Sequence, residues 1–237
     1  MFVFDKNFGF TLAEVLITLG IIGVVAAMTL PAIIQKNNNK VVETRLQKFY
    51  TTFNQAIQLA ESKYGDKKYW YIDAAGVDLD EDGKPILESS EIDKWFVKYL
   101  SNFIVVEKKV DAQGTMLYYL PDGSAFQLGI PNENASLRDI YFYPGNPEKC
   151  KGDLKDISGR CVFSFEYIPT LNTQAWKYHY NKGLEPAKYK WDGSYNSLLN
   201  DSERGCANGG HYRGTYCTAL IQYNGWKIPD DYPLKVK

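Results

Sequence analysis

The sequence predicts an α+β fold: one long N-terminal helix packed on an antiparallel β-sheet domain, with a loop-rich C-terminal region. Three observations predict it. An apolar run fills residues 10–34 and holds one charge, Glu14. An amphipathic stripe follows it to about residue 64 without a break in period. Beyond that, three short segments separated by turn residues read as a β-meander. The chain divides accordingly into a leader at 1–9, a transmembrane or filament-core helix at 10–35, its amphipathic continuation at 36–64, and a globular αβ domain at 65–237.

Composition narrows the function classes. The 237 residues carry 27 basic and 28 acidic side chains, net charge −1, so no basic excess points to nucleic acid. Without the apolar run, roughly 200 residues remain, enough for one buried core. Aromatics are frequent, with 18 Tyr, 12 Phe and 5 Trp, as in β-rich extracytoplasmic domains.

The apolar run is 25 residues long, and a bilayer-spanning helix needs about 20. Two other uses compete for it. A secretory signal peptide would take 10–25 as its core and be cut after Ala27. Against this, Glu14 sits inside the core, and the run continues past Ala27 into the amphipathic pattern. A plain anchor would have no use for Glu14, because an ionisable group in a membrane segment is expensive and marks a partner or a function. A cut between Gly9 and Phe10 supplies the partner. Phe10 would then carry a free, positive α-amino group one helical turn from Glu14. Staggered subunits would set one chain's Glu14 beside another's ammonium, and either charge left alone is penalised. Such a pair fixes register.

These residues carry a family resemblance. Gly9, Phe10-Thr11-Leu12, Glu14, the apolar run and Pro31 resemble the N-terminus of type IV pilins and type II secretion pseudopilins. The match is close over about residues 8–35. The resemblance implies a prepilin peptidase that cuts after Gly9 and methylates the Phe10 amine. It implies assembly with other pilin or pseudopilin subunits into a type IV pilus or type II secretion filament. It also implies a single-pass chain in the cytoplasmic (inner) membrane with its C-terminal domain outside, later at the cell surface or in the periplasm. The leader departs from the family's basic pattern, since Lys6 is offset by Asp5.

Along the amphipathic half, Val42, Leu46, Phe49, Phe53, Ile57 and Ala60 recur at spacings of three and four, one helical face. The stripe predicts a helix laid on a globular domain; a coiled-coil stalk is the competing use. The whole helix would be about 80 Å long. Pro31 should kink it, because it removes a hydrogen bond and crowds the preceding turn. Gly65 ends it. Next, Asp78, Asp80 and Asp82 alternate before Gly83. That pattern resembles half of an EF-hand loop, but Ser89 stands at the twelfth position and no flanking helices are evident. A solvated acidic turn is the simpler reading. Calcium is carried as a minor one, since some pseudopilins hold calcium in a C-terminal loop; no other cofactor is expected.

Residues 91–100 predict a short helix. Residues 104–110, 115–120 and 124–130 predict the meander, turned by Asp111-Ala112-Gln113-Gly114 and Pro121-Asp122-Gly123. Further strands are predicted at 162–168, 175–180 and 218–223.

The four cysteines are all C-terminal. Cys150 and Cys161 enclose ten residues, as do Cys206 and Cys217. An even count in an anchored chain suggests an oxidising compartment and up to two disulfides. Three connectivities are open, and the two local pairs are favoured. Zinc is the weaker alternative, with no C-x-x-C spacing. The two histidines, His179 at a supposed strand position and His211 in a loop, belong to no catalytic motif. G-x-S-x-G and a P-loop are absent. The sequence therefore reads as a non-enzymatic filament subunit. Its rivals are a membrane-anchored binding or adhesive protein that never polymerises, and an anchored enzyme whose catalytic cluster forms only on folding.

Overall fold

Helix α1 (Leu12–Tyr64) is a single helix of 53 residues, and the main core packs on its second half. The structure is a computed structural model and describes residues 11–70, 78–79, 81, 85–86, 91–111, 116–128 and 139–237. Pro31 lies inside α1, which continues past it to Tyr64. The Gly65 N–H then returns to the Glu61 carbonyl at 2.9 Å and closes the last turn. Burial along α1 begins at Val42 and takes in Leu46, Phe49, Phe53, Ala56, Ile57 and Ala60. This is the stripe that the three–four spacing predicts, with Ala56 added.

The stripe meets a six-stranded sheet. Its strands are β3 (Lys108–Asp111), β4 (Met116–Tyr119), β5 (Ala125–Leu128), β6 (Asp139–Tyr143), β7 (Phe163–Tyr167) and β8 (Leu184–Pro186), hydrogen-bonded in that order and antiparallel throughout. A separate two-stranded ribbon pairs β1 (Asp78–Leu79) with β2 (Pro85–Ile86). Alternation sorts the sheet's residues. Met116 and Tyr118, Phe126 and Leu128, Ile140 and Phe142, and Phe165 are buried and join the core around α1. Phe49 is the hub: its ring stacks on Phe142 at 4.3 Å and touches Phe53, Phe126 and Phe165 at 5.4–5.6 Å. Helix α2 (Glu91–Tyr99) closes one end with Trp95, Phe96 and Tyr99, the last stacked on Trp70.

The long helix, the short helix and the meander follow the sequence expectations, and the fold class is α+β and pilin-like. Two expected strands are not strands. Residues 175–180 form consecutive turns, with the His179 and Tyr180 N–H groups bonded to the Trp176 carbonyl at 2.8 and 3.1 Å. The alternating aromatics there do not share a sheet face: Trp176 packs on Tyr189 and Tyr178 on Trp191. After the short helices α3 (Leu154–Ile157) and α4 (Tyr195–Asn200), residues 218–223 belong to helix α5 (Cys217–Tyr223), buried on every side from Cys217 to Ile221. A short run buried all round shows no period, so strand and helix look alike in sequence. Strands β6 and β8 fall in the stretch that reads as loop. Among the residues proposed for calcium, Asp80 and Asp82 lie outside the described residues; Asp78 pairs through its backbone with Ile86. Among the described residues, no group of three or more acids, histidines or cysteines could hold a metal ion.

Two ties fix α1 to the sheet besides the core. At the turn between β4 and β5, Lys48 Nζ meets Asp122 Oδ2 at 2.8 Å, and Arg45 donates to the Asp122 and Pro144 carbonyls. The second tie is the C-terminal tail. Its Trp226 packs on Tyr50, the Ile228 N–H donates to Glu43 at 3.0 Å, and Gln35 donates to the Val236 carbonyl at 3.3 Å. The tail thus runs back along the helix toward its bare half.

Burial alone would raise the Asp122 pKa, but donors from Lys48 and Ser124 outweigh it and hold the carboxyl lowered from 3.8 to about 2. A folded pKa below the unfolded one stabilises the fold above the unfolded value, and that contribution is lost as pH falls through the folded value. Asp122 should therefore add constant stability above about pH 4 and lose it between about 4 and 2. Thermal unfolding of Asp122→Asn and the parent across pH 2–7 checks this. The curves should converge toward the acid end; parallel curves would remove the assignment.

Candidate functional site

Two regions stand out once the fold is built. The first is the N-terminal half of α1. Thr11 caps the helix. Its hydroxyl accepts the Glu14 N–H at 3.2 Å, while the Glu14 carboxylate accepts the Thr11 N–H at 2.8 Å and the Thr11 hydroxyl at 2.7 Å. This reciprocal pair satisfies donors that a helix start otherwise leaves open. Beyond it the helix surface is apolar and uncovered: Leu16, Ile17, Leu19, Ile21, Ile22 and Ile33 are each about 60 % exposed. From Leu12 to Ile34 that is about 35 Å of helix, enough for a hydrocarbon layer of about 30 Å. The window is long and apolar enough to cross a membrane and has none of its residues buried. Gly9 and Phe10 lie outside the described residues.

The second region is on the sheet face turned away from α1. Both disulfides are local, Cys150 with Cys161 and Cys206 with Cys217. The two loops they close touch each other. Gly159, at φ +73°, abuts Cys217, where a Cβ would sit 2.3 Å from Sγ. Gly214, at φ +82°, abuts Ser158, where a Cβ would sit 2.7 Å away. Only glycine fits either contact.

Between the loops and the sheet lies a pocket of about 600 Å³. Its floor comes from β6 and β7, through Asp139, Tyr141, Ser164 and Glu166. Cross-strand register puts Asp139 beside Glu166 and Tyr141 beside Ser164 on one face. The first disulfide loop supplies Asp153 and Lys155, and the second supplies His211, Tyr212 and Arg213. Trp176 and Tyr189 form the remaining side, and Arg204 reaches in just before the second loop. The Arg204 guanidinium lies over two rings, its Cζ 4.7 Å from the Tyr189 centroid and 4.8 Å from that of Tyr212. It makes no ion pair with a described residue.

Glu166 is the unusual group. Its side chain is only 9 % exposed, and among the described residues its one basic partner is His179, whose Nε2 lies 3.0 Å from Oε2. That same nitrogen accepts the Lys188 N–H at 3.1 Å, so it cannot always serve the carboxylate as a donor. Burial pushes the Tyr141 phenol up, and Asp139 and Glu166 add to it, so Tyr141 stays a neutral donor. Burial draws the nearby Lys188 ammonium down, opposed by Glu185 at 3.4 Å.

Two family models match this chain. Residues 5–30 match the prokaryotic N-terminal methylation motif, the type IV pilin and pseudopilin signature. Residues 32–236 match the family of unknown function DUF6613. The chain belongs to DUF6613. No curated protein and no solved structure matches it. The two matches meet at Pro31, close to where the helix passes from exposed to buried. This DUF6613 chain is therefore a pilin-like precursor with one apolar helix suited to single-pass anchoring, joined to a domain of its own.

The sequence pointed to the anchor residues and the cysteines but not to the pocket of the DUF6613 domain. Asp139, Glu166, Arg204 and His211 are scattered over more than seventy residues of text. One signal was present: Glu166 is the lone charge in a strand whose other residues are three aromatics and Ser164. His179, expected on a strand, is in a turn and fully buried beside it.

The two disulfides should differ in weight. Cys206 and Cys217 are both fully buried in a cluster with Leu198, Tyr216 and Leu220, whereas Cys150 is at the domain margin. Replacing Cys206 and Cys217 together by serine should cost about 2–4 kcal/mol from the lost constraint and more from the buried hydroxyls. The Cys150→Ser, Cys161→Ser pair should lose the first part only. Denaturant midpoints of the two double variants decide it, and equal losses would contradict the difference in burial.

Proposed function

We propose that this chain is the precursor of a pilin or pseudopilin that serves as a structural subunit, and that it performs no reaction. The carrying observation is a methylation motif continuous with an apolar helix surface that no described residue covers. In this reading prepilin peptidase cuts after Gly9 and methylates Phe10. The bare half of α1 rests in the cytoplasmic membrane and then packs against other subunits in a filament core. Pro31 bends the helix where it leaves that core. The DUF6613 domain faces outward, in the periplasm or at the cell surface.

Glu14 gains a specific part. In the single chain its carboxylate is satisfied by Thr11, so the precursor can hold it in an apolar segment at reduced cost. On assembly it would exchange those donors for the methylated ammonium of a neighbour's Phe10. The exchange keeps the charge partnered at each stage and rewards one stagger between subunits.

The intact N-terminal peptide of the membrane-extracted native protein, read by mass spectrometry, tests the processing. It should begin at Phe10 with one added methyl. A peptide beginning at Met1 would place a non-polymerising anchored binding protein first, and one beginning at Met28 would mean signal-peptidase cleavage. Glu14→Ala should leave that cleavage intact and reduce filament incorporation at least about tenfold, as loss of one partner of a desolvated ion pair does. Undiminished incorporation, measured in sheared or cross-linked fractions, would remove Glu14 from the assembly.

A further inference from the structure

We propose that the pocket between the two disulfide loops and strands β6 and β7 is a binding site for a neutral saccharide. The inference is independent of the filament reading, because it rests on the domain alone.

The size is suitable, since about 600 Å³ falls within the roughly 300–1,000 Å³ of small-molecule sites. The charge balance sets the ligand class. Among the described lining residues, Asp139, Asp153 and Glu166 face Lys155, Arg204 and Arg213, three acids against three cations. A net anion or a net cation would meet as much repulsion as attraction. The ligand is therefore neutral overall and must offer donors and acceptors together.

The individual groups say the same. Glu166 is a buried carboxylate with room for about four hydrogen bonds and at most one donor, His179, among the described residues. It needs donors. The Arg204 guanidinium lies over the Tyr189 and Tyr212 rings, and its N–H groups make no hydrogen bond to a described side chain. It needs acceptors. A hydroxyl is both donor and acceptor, and a vicinal diol presents two at the spacing of a carboxylate or a guanidinium edge. Half-buried Trp176 and Tyr141 add flat apolar faces against which the C–H face of a pyranose can lie. The walls are held in place before any ligand arrives, by the two disulfides and by the Gly159 and Gly214 contacts, which lowers the ordering cost of binding.

Saturation-transfer NMR on the full chain in lipid nanodiscs, free of sugar-based detergent, tests the site. The probes are the methyl glycosides of glucose, galactose, mannose and N-acetylglucosamine, with glycine and inorganic phosphate as zwitterionic and anionic controls. At least one glycoside should receive saturation while both controls do not. Arg204→Ala should weaken that glycoside about tenfold or more, the loss expected for a hydrogen bond to a charged group. Tyr212→Ala, at an exposed ring, removes one support of the guanidinium with little risk to the fold and should weaken it as well. No transfer to any of the four glycosides would overturn the proposal. So would binding unchanged in Tyr212→Ala, or a response to phosphate or glycine in place of the glycosides.

Discussion

The whole domain depends on one packing event, the seating of the Phe49 ring against Phe142, Phe126 and Phe165. Those three rings come from β6, β5 and β7, so a single side chain of α1 touches the middle of the sheet. Leu46 extends the contact by one turn before Phe49, and Phe53 and Ile57 by two turns after it. Without the helix, one face of the sheet would be a continuous apolar surface. Without the sheet, the second half of α1 would expose a stripe that the first half already exposes all round. The helix thus changes surroundings along its length: its own domain from Val42 onward, and an apolar surface that no described residue covers before Gln35.

The C-terminal region solves a different problem. From Cys150 onward regular structure is short, and β8, α5 and the four-residue helix Leu154–Ile157 are among its longer-range supports. Short elements bury little apolar surface each, and their backbone entropy is large. Two local disulfides reduce the entropy of the competing unfolded chain, and the second forms part of a small core of its own. Covering β7 on both faces is the result, and it is why Ser164 and Glu166 are buried in a strand whose neighbours are all aromatic. A buried carboxylate left short of donors is an expense, and an expense kept at the floor of a cavity is reasonable grounds for assigning the cavity a ligand.

What could be read in the sequence follows from the range of the forces involved. The helix was legible because its signal is local and long: an unbroken apolar run leads into a stripe at three–four spacing from Val42 to Ala60, and Gly65 marks the stop. The turn at Pro121-Asp122-Gly123 was legible because its chemistry sits within four residues. Strand β6 was not, since Asp139–Tyr143 is only five residues beside a stretch rich in Pro and Asn. Residues 175–180 misled because alternation among large aromatics looks like a strand even when each ring has a separate partner. The pocket was out of reach for the same reason at larger scale. Its groups are joined by register between β6 and β7 and by contact between two loops, and neither leaves a spacing in the text.

The tail decides how the two ends of the molecule communicate. It leaves α5 beside Tyr50, meets Glu43 through Lys227 and Ile228, and ends with Val236 against Gln35. The tail is also held to the first disulfide loop, by the Tyr232 hydroxyl on the Gly159 carbonyl and the Lys237 N–H on the Arg160 carbonyl. The loop that walls the pocket is therefore tied, through about ten residues of chain, to the point where α1 becomes bare. A domain fixed to its helix only through the sheet could swing about the residues near Pro31. The tail adds a second attachment below the first, and two attachments along one helix set an orientation. Whatever neighbours the bare half of α1 meets, the pocket is consequently presented at a defined angle to them.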